Sequence, residues 1–216
     1  GGSGSKGFRL SNAYYLTLGR SADFTFRNDI YTERGYGIGG DLRTRANSRS
    51  YFNTGFYAVK DRVIGPKADS EHPDQGGSSF YADGVHYFKN GFTAAADVNI
   101  TSSLAFRQVF SDNIQQAISP EETSQVFINK DFKEYSFNFL ARSQVTSPTN
   151  TRIRIRELPS VTIDKRPTIL SFLDKVPVYF SFEGAAEGVS RKESVDNSVQ
   201  FVGDVGGNPI ITPTIV

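Results

Sequence analysis

Apolar and polar side chains alternate with a period of two residues along much of the chain, as in β-strands with one apolar and one wet face. The alternation is clearest over residues 22–27, where three apolar residues stand between Asp23, Thr25 and Arg27. It recurs, with interruptions, over residues 36–43, 51–62, 80–88, 92–101, 125–130, 135–144, 152–156 and 178–183. We count about ten strand candidates, each near the length that crosses a bilayer at a tilt.

The connections between these candidates are of two kinds. Short turns are predicted at residues 33–35, 89–91 and 131–133, and Asn90-Gly91 is favoured where both central residues of a hairpin turn have positive φ. A long polar loop is predicted over residues 65–79, which combine Pro, Gly and charge. Residues 103–122 have the mixed apolar spacing of a short helical or irregular crossover and are assigned to loop. Leu158-Pro159 is expected to end the strand that precedes it.

Composition and charge narrow the class of protein. No run of about 18 apolar residues is present, so no helix is expected to span a bilayer, although that test does not detect membrane-spanning strands. With 24 basic and 23 acidic residues the net charge is +1, which gives no reason to expect nucleic acid as a partner. The chain has no Cys and only His72 and His86 as histidines, without metal-ligand spacing. We therefore expect no enzyme and no catalytic, metal-binding or cofactor-binding residues.

Two all-β architectures fit this pattern. A soluble β-sandwich binding module also alternates apolar and polar residues, and it predicts that the Phe-rich faces are buried against a second sheet. A transmembrane barrel is favoured by wet faces with few long charged side chains, by short turns that alternate with long loops, and by long hairpin-connected strands. We predict an antiparallel transmembrane β-barrel domain over residues 7–216. Residues 1–6 are expected to be a linker or loop, and because no signal peptide is recognisable the sequence is treated as an excerpt.

A set of short motifs occurs in a characteristic order. The motifs are Tyr14-Tyr15-Leu16, residues 19–26, residues 33–43, Asp61-Arg62, Asn90-Gly91-Phe92, residues 96–99 and residues 156–161. Their order resembles the early barrel of the LptD/OstA family of lipopolysaccharide-assembly outer-membrane proteins. That family carries a Ser-Asp pair where this chain has Ser102-Ser103, so the role of that Asp is not carried over.

The resemblance implies a location and a task. The chain would be part of the wall of a larger barrel in the cell outer membrane, which inserts lipopolysaccharide into the outer leaflet. The implied partners are lipopolysaccharide, a lipoprotein plug in the barrel lumen and a periplasmic lipopolysaccharide-transport bridge. A seam between the first and last strands would make residues 7–18 one lip of a lateral gate, with Arg9, Ser11, Tyr14 and Tyr15 on the gate strand. The alternative is another outer-membrane porin or transporter, and a porin would carry a constriction loop folded into its lumen.

Charged residues on the strands are the remaining candidates for contacts. Arg152, Arg154 and Arg156 are predicted to line the lumen, where their guanidinium groups meet lipopolysaccharide phosphates or serve as ordinary lumen charges. Asp23, Arg27, Asp41 and Arg43 are predicted to line the lumen too, either as cross-strand ion pairs or as contacts to the plug. The glycines of residues 35–40 lack the spacing of a dinucleotide-binding loop and indicate a bend or a close strand contact instead.

Overall fold

The protein forms one antiparallel sheet of eleven strands in a computed structural model. The structure describes residues 2–3, 6–112, 119, 121–146, 151–170 and 178–195. Every strand pairs with its neighbour in the chain, so the sheet is a simple meander. The elements are β1 (Gly2–Ser3), β2 (Gly7–Thr17), β3 (Ala22–Tyr31), β4 (Gly35–Arg45), β5 (Tyr51–Asp61), β6 (Gly77–Tyr87), β7 (Phe92–Thr101), α1 (Leu104–Phe110), β8 (Glu121–Asp131), β9 (Tyr135–Thr146), β10 (Thr151–Leu170) and β11 (Val178–Val195).

The strands define two rims of the wall. Strands β2 to β9 have 10 to 12 residues, enough to cross a bilayer at a tilt. At one rim, which we call the turn rim, short connections 18–21, 46–50, 88–91 and 132–134 join the strands. The other rim carries connections 32–34, 62–76 and 102–120, and we call it the loop rim. The predicted alternation of short turns and longer loops therefore holds, except that the loop-rim connection 32–34 is as short as the turns.

The register separates the side chains into two faces. One row of directly paired positions runs across seven strands through Asp23, Arg43, Asn53, Asp83, Asp97, Gln125 and Arg142. We call the face that carries this row the polar face and the opposite one the apolar face. Alternation within each strand then assigns Phe24, Leu42 and Phe56 to the apolar face.

The apolar face has no second layer over it among the described residues. Large side chains on this face remain exposed, including Phe8, Leu10, Leu16, Ile38, Phe52, Phe56, Phe80 and Ile100. The soluble sandwich predicted that such a face would be buried against another sheet, and this is not observed. The arrangement is that of a barrel wall, and the predicted all-β antiparallel class is confirmed. The wall is open, because no described pairing joins the β1 and β2 edge to β11.

Several sequence-based predictions need correction. Within residues 103–122, predicted as a short helical or irregular crossover and assigned to loop, Leu104–Phe110 form the helix α1, but β8 already begins at Glu121. Pro159 does not end a strand, because a register shift between Leu158 and Val161 places the proline, which has no N–H, in a bulge. Strand β6 begins at Gly77 rather than at residue 80.

The turn between β6 and β7 also differs from the prediction. Only Gly91 takes a positive φ, of 85°, and Asn90 does not share it. The backbone amide of Gly91 donates a hydrogen bond to the carbonyl of Phe88 over 3.0 Å. This bond closes a turn over residues 88–91, in which Gly91 is the residue with left-handed backbone. The described residues include no helix that could cross a membrane.

Candidate functional site

Helix α1 lies against the polar face of the wall. The hydroxyl of Ser103 caps the first turn of the helix by accepting a hydrogen bond from the backbone amide of Phe106 over 3.1 Å. Phe106 and Phe110 are four residues apart on one helical face, and both are almost fully buried. They pack in a cluster with Tyr31, Tyr57 and Val59, and the ring of Phe110 meets that of Tyr31 edge-on with centroids 5.4 Å apart. This cluster is the main buried apolar core of the described wall.

A fully buried carboxylate lies next to this core. Asp29 is 0% exposed. Its Oδ2 accepts hydrogen bonds from the hydroxyl of Tyr57 over 2.6 Å and from Nη2 of Arg9 over 2.9 Å. The hydroxyls of Tyr57 and Tyr31 lie 2.8 Å apart, and Nε of Arg27 lies 3.9 Å from the same carboxylate oxygen. An isolated buried charge is strongly unfavourable, so the Ser11 hydroxyl, Tyr57 and Arg9 are the groups that stabilise Asp29 in its ionised form.

A second carboxylate reaches the same arginines from the segment that follows α1. The Asp112 carboxylate accepts hydrogen bonds from Arg9, at 2.7 Å from Nη1 and 3.4 Å from Nη2. It also accepts one from Nη1 of Arg27 over 3.5 Å. Lys6 lies nearby, with Nζ 5.9 Å from the centroid of Phe110. Burial lowers the pKa of Lys6, and the Asp112 carboxylate opposes that shift. We call Lys6, Arg9, Arg27, Asp29 and Asp112 the Asp112 cluster.

A buried ion pair fastens the loop rim. Arg34 follows β3 and Asp61 ends β5, and the two form a two-point contact over 2.9 and 2.8 Å while nearly excluded from solvent. Gln75 joins them from the loop 62–76. Its side-chain oxygen accepts a hydrogen bond from Arg34, and its backbone N–H donates one to Asp61. Arg34 and Asp61 come from two motifs that carried the family resemblance. The structure therefore brings those separate motifs together as one structural pair.

Tyr57 lies across two glycines of β4. A Cβ on Gly37 would lie 2.4 Å from the Tyr57 hydroxyl oxygen, and one on Gly39 would lie 2.8 Å from its Cδ2. These positions must lack a side chain because the ring needs the space in order to reach Asp29. The predicted close strand contact at residues 35–40 is thereby explained at Gly37 and Gly39.

The wall separates between β7 and β8 near the loop rim. Their direct pairing ends at Asp97 and Gln125, and beyond it the hydroxyl of Ser124 bridges the amide and carbonyl of Asn99. Arg107 of α1 forms an ion pair with Glu122 over 2.9 Å and also donates to the carbonyl of Ser119. Helix α1 is thus anchored to β8 through Arg107 and, through Asp112 just beyond its C-terminus, to β2 and β3.

The predicted gate residues all lie on β2. Arg9, Ser11 and Tyr15 belong to the polar face and Tyr14 to the apolar face. Arg9 is drawn into the Asp112 cluster, and Ser11 pairs in register with Asp29. Beyond its contact with β1 at Gly7 and Phe8, β2 has no strand partner on its outer side among the described residues.

The predicted lumen residues separate into two groups. Asp23, Arg27, Asp41 and Arg43 share the polar face, where Arg43 pairs with Asp23 over 2.8 Å and Asp41 accepts the hydroxyl of Tyr81 over 2.8 Å. The predicted cross-strand ion pair is therefore present for Asp23 and Arg43.

The arginines of β10 do not join that group. Arg154 is opposite Val145 and Arg156 is opposite Ser143, and these β9 positions alternate with the polar Arg142 and Gln144. The register thus places Arg154 and Arg156 on the apolar face, contrary to the expectation that they share a face with Asp23 and Arg43. The bulge after Leu158 reverses the alternation. The side chain of Arg152 lies outside the described part of the structure.

The groups that sequence reasoning missed are Asp29, Tyr57 and Asp112. Asp29 and Tyr57 stand at polar-face positions of their strands, and that period of two was the available signal. Asp112 is 103 residues from Arg9, and no local pattern connects the two. No group of three or more potential metal-ligating side chains occurs within the described ranges.

An open meander with one wet and one exposed apolar face defines a class, the wall of an outer-membrane-type antiparallel barrel. A model of the family described as LptD protein matches residues 1–200. The chain belongs to the LptD protein family, whose members are outer-membrane proteins of lipopolysaccharide transport and assembly. A comparison with curated proteins finds no match.

Proposed function

We propose that this wall conducts lipopolysaccharide to the outer leaflet of the outer membrane and inserts it there. The observation that carries the proposal is the division of the sheet into an exposed apolar face and a polar face, in a chain of the LptD family. In this arrangement the apolar face contacts lipid and the polar face lines the lumen. The chain acts as a conduit without catalysis, and a periplasmic transport bridge delivers the lipid.

The edge strand β2 is the proposed lip of the lateral gate. Among the described residues, the outer side of β2 beyond Phe8 has backbone groups without a strand partner. A closing strand would pair with these groups, and a passing lipid would separate the two strands. Arg9, Ser11 and Tyr15 face the lumen side of this lip, and Tyr14 faces the lipid side. Asp23, Asp41 and Arg43 lie farther along the same polar face, which is the surface that a lipoprotein plug would contact.

Site-specific photocrosslinking in cells tests the route. A photoreactive residue is placed at Ser11 in the full-length protein, and a matched one at Thr93, which is on the polar face of β7 far from the edge. Lipid outside the barrel does not reach the polar face, so we expect lipopolysaccharide adducts at Ser11 and fewer at Thr93. Adducts at neither position while transport continues would exclude this lumen as the route. Equal adducts would remove β2 as the gate.

One observation favours a second candidate, a porin or another transporter. Helix α1 folds onto the polar face, as a porin constriction loop would. A passive porin predicts steady ion conductance in planar bilayers and no lipopolysaccharide adduct at Ser11. The proposed function predicts the adduct.

A further inference from the structure

We propose that Arg9 and Arg27 form a phosphate-binding site on the polar face beside the β2 edge, which the Asp112 carboxylate closes as an internal substitute for the ligand. The proposed ligand is a phosphate group of about two negative charges, either as the free anion or as the monoester headgroup of a lipid. The binding chemistry depends on this geometry alone, whereas a part in lipid transport also rests on the proposed function.

The Asp112 carboxylate occupies the position that a phosphate group would take. Its two oxygens contact both terminal nitrogens of Arg9 and one terminal nitrogen of Arg27. Guanidinium groups bind carboxylate and phosphate in the same two-point manner, so two phosphate oxygens can take the place of the two carboxylate oxygens. The Asp112 side chain is 54% exposed, which leaves it free to rotate into solvent.

The charge balance also favours an anion with more than one negative charge. Lys6, Arg9 and Arg27 contribute three positive charges, and Asp29 and Asp112 contribute two negative ones. Asp29 is buried and is held by Arg9 and Tyr57, so it stays in place. Exchange of Asp112 for a phosphate of about two negative charges brings the cluster close to neutrality.

The two arginines keep further capacity for hydrogen bonds. Nε of Arg9 and Nε of Arg27 are buried and have no hydrogen-bond partner among the described residues. Arg27 is held in orientation by the ring of Tyr57, with its guanidinium carbon 4.8 Å from the ring centroid. Buried donors are normally paired, so the contact with Asp112 leaves each of the two guanidinium groups with one unsatisfied N–H donor.

The place of the cluster in the wall suits a headgroup. Arg9 is the third residue of β2, about 7 Å along the strand from its first residue at the loop rim. That depth is near the boundary between hydrocarbon and water, where lipid phosphates lie. Arg9 itself has no strand partner on the outer side of β2 within the described part of the chain, so this edge lies directly beside the cluster.

Binding measurements on the full-length protein in detergent test the site. The probes are inorganic phosphate, phosphatidic acid and diacylglycerol with the same acyl chains, and the variants are Asp112→Asn, Arg27→Gln and Arg43→Gln. We expect Asp112→Asn to bind a phosphate-bearing probe about tenfold more tightly than the wild type, because the competing carboxylate charge is removed. Arg27→Gln in the Asp112→Asn background should reverse that gain, and Arg43→Gln, which alters an exposed ion pair elsewhere on the polar face, should not.

The probes separate the two sources of phosphate. Binding of phosphatidic acid without binding of inorganic phosphate or diacylglycerol assigns the site to a lipid headgroup. Comparable binding of inorganic phosphate assigns it to a free anion. Failure of Asp112→Asn to bind either phosphate probe, or equal binding after Arg27→Gln, would overturn the site. Arg27 is chosen because Arg9 and Tyr57 still hold Asp29 in that variant, and heat-modifiable gel mobility checks its folding. Lipopolysaccharide adducts at Ser11 would be unaffected by such a failure.

Discussion

An arginine introduced at the centre of β7 tests which face of the wall meets lipid. Ala96 lies on the apolar face, opposite Gly84 on β6 and Val126 on β8. Its neighbour Ala95 lies on the polar face, opposite Val85 and Phe127. The two alanines occupy the middle of a ten-residue strand and are both partly buried, so they form a matched pair.

The two substitutions should differ strongly in their effect on stability. Ala96→Arg should lower the free energy of unfolding by about 2–4 kcal/mol, because a guanidinium at the midplane of the bilayer loses its hydration. That loss corresponds to roughly a 30- to 1,000-fold change in the folding equilibrium. The free energy of unfolding of Ala95→Arg should stay within about 0.5 kcal/mol of the wild-type value, because the new arginine lies near the acidic side chains of Asp83 and Asp97 on the polar face.

The assay is equilibrium unfolding of the full-length protein in phospholipid vesicles, followed by heat-modifiable gel mobility as denaturant is added. The wild type and both variants are compared at one lipid composition. Equal losses for Ala95→Arg and Ala96→Arg, or a larger loss for Ala95→Arg, would refute the assignment of the apolar face to lipid. A reversed order would place lipid on the face that carries α1.

Two further substitutions test the interior of the wall by the same unfolding measurement. Arg34→Gln should cost about 3–5 kcal/mol because the buried Asp61 loses its hydrogen-bonded cation and keeps only Arg62, whose Nε lies 3.9 Å away. Arg43→Gln breaks an exposed pair and should cost less than about 1 kcal/mol. Similar losses for both would show that Asp61 is hydrated. Gly37→Ala should cost about 1–3 kcal/mol, because the new methyl group meets the Tyr57 hydroxyl, and less in a Tyr57→Phe background. Strict additivity of Gly37→Ala and Tyr57→Phe would contradict that contact.

The meander could be predicted from the sequence because each hairpin is a local structure. Alternation over residues 22–27 and 92–101 requires only that neighbouring strands share one apolar face, and short turns then set the pairing. The polar positions of Asp23 and Arg43 followed from the same period. The prediction failed where a local signal was misleading. Pro159 does not end its strand, because a bulge accommodates it. The same bulge reverses the alternation of faces along β10, so Arg154 and Arg156, which precede it, lie on the apolar face.

The Asp112 cluster could not be predicted in this way. A seven-residue helix has too weak a periodicity to be assigned with assurance, and its position depends on where Phe106 and Phe110 find a partner surface. That surface is assembled from Tyr31, Tyr57 and Val59, which belong to strands far apart in the chain.

The sequence by itself determined the strands, their alternating faces and the family, because these depend on side-chain period and on short motifs in order. Only the tertiary structure decided which polar groups meet. Arg9 and Asp112 are joined because α1 leads from the end of β7 across the polar face towards β2. Arg34 and Asp61 are joined because the ends of β3 and β5 reach the same rim. Such contacts between distant residues depend on the packing of whole elements, which no local pattern encodes.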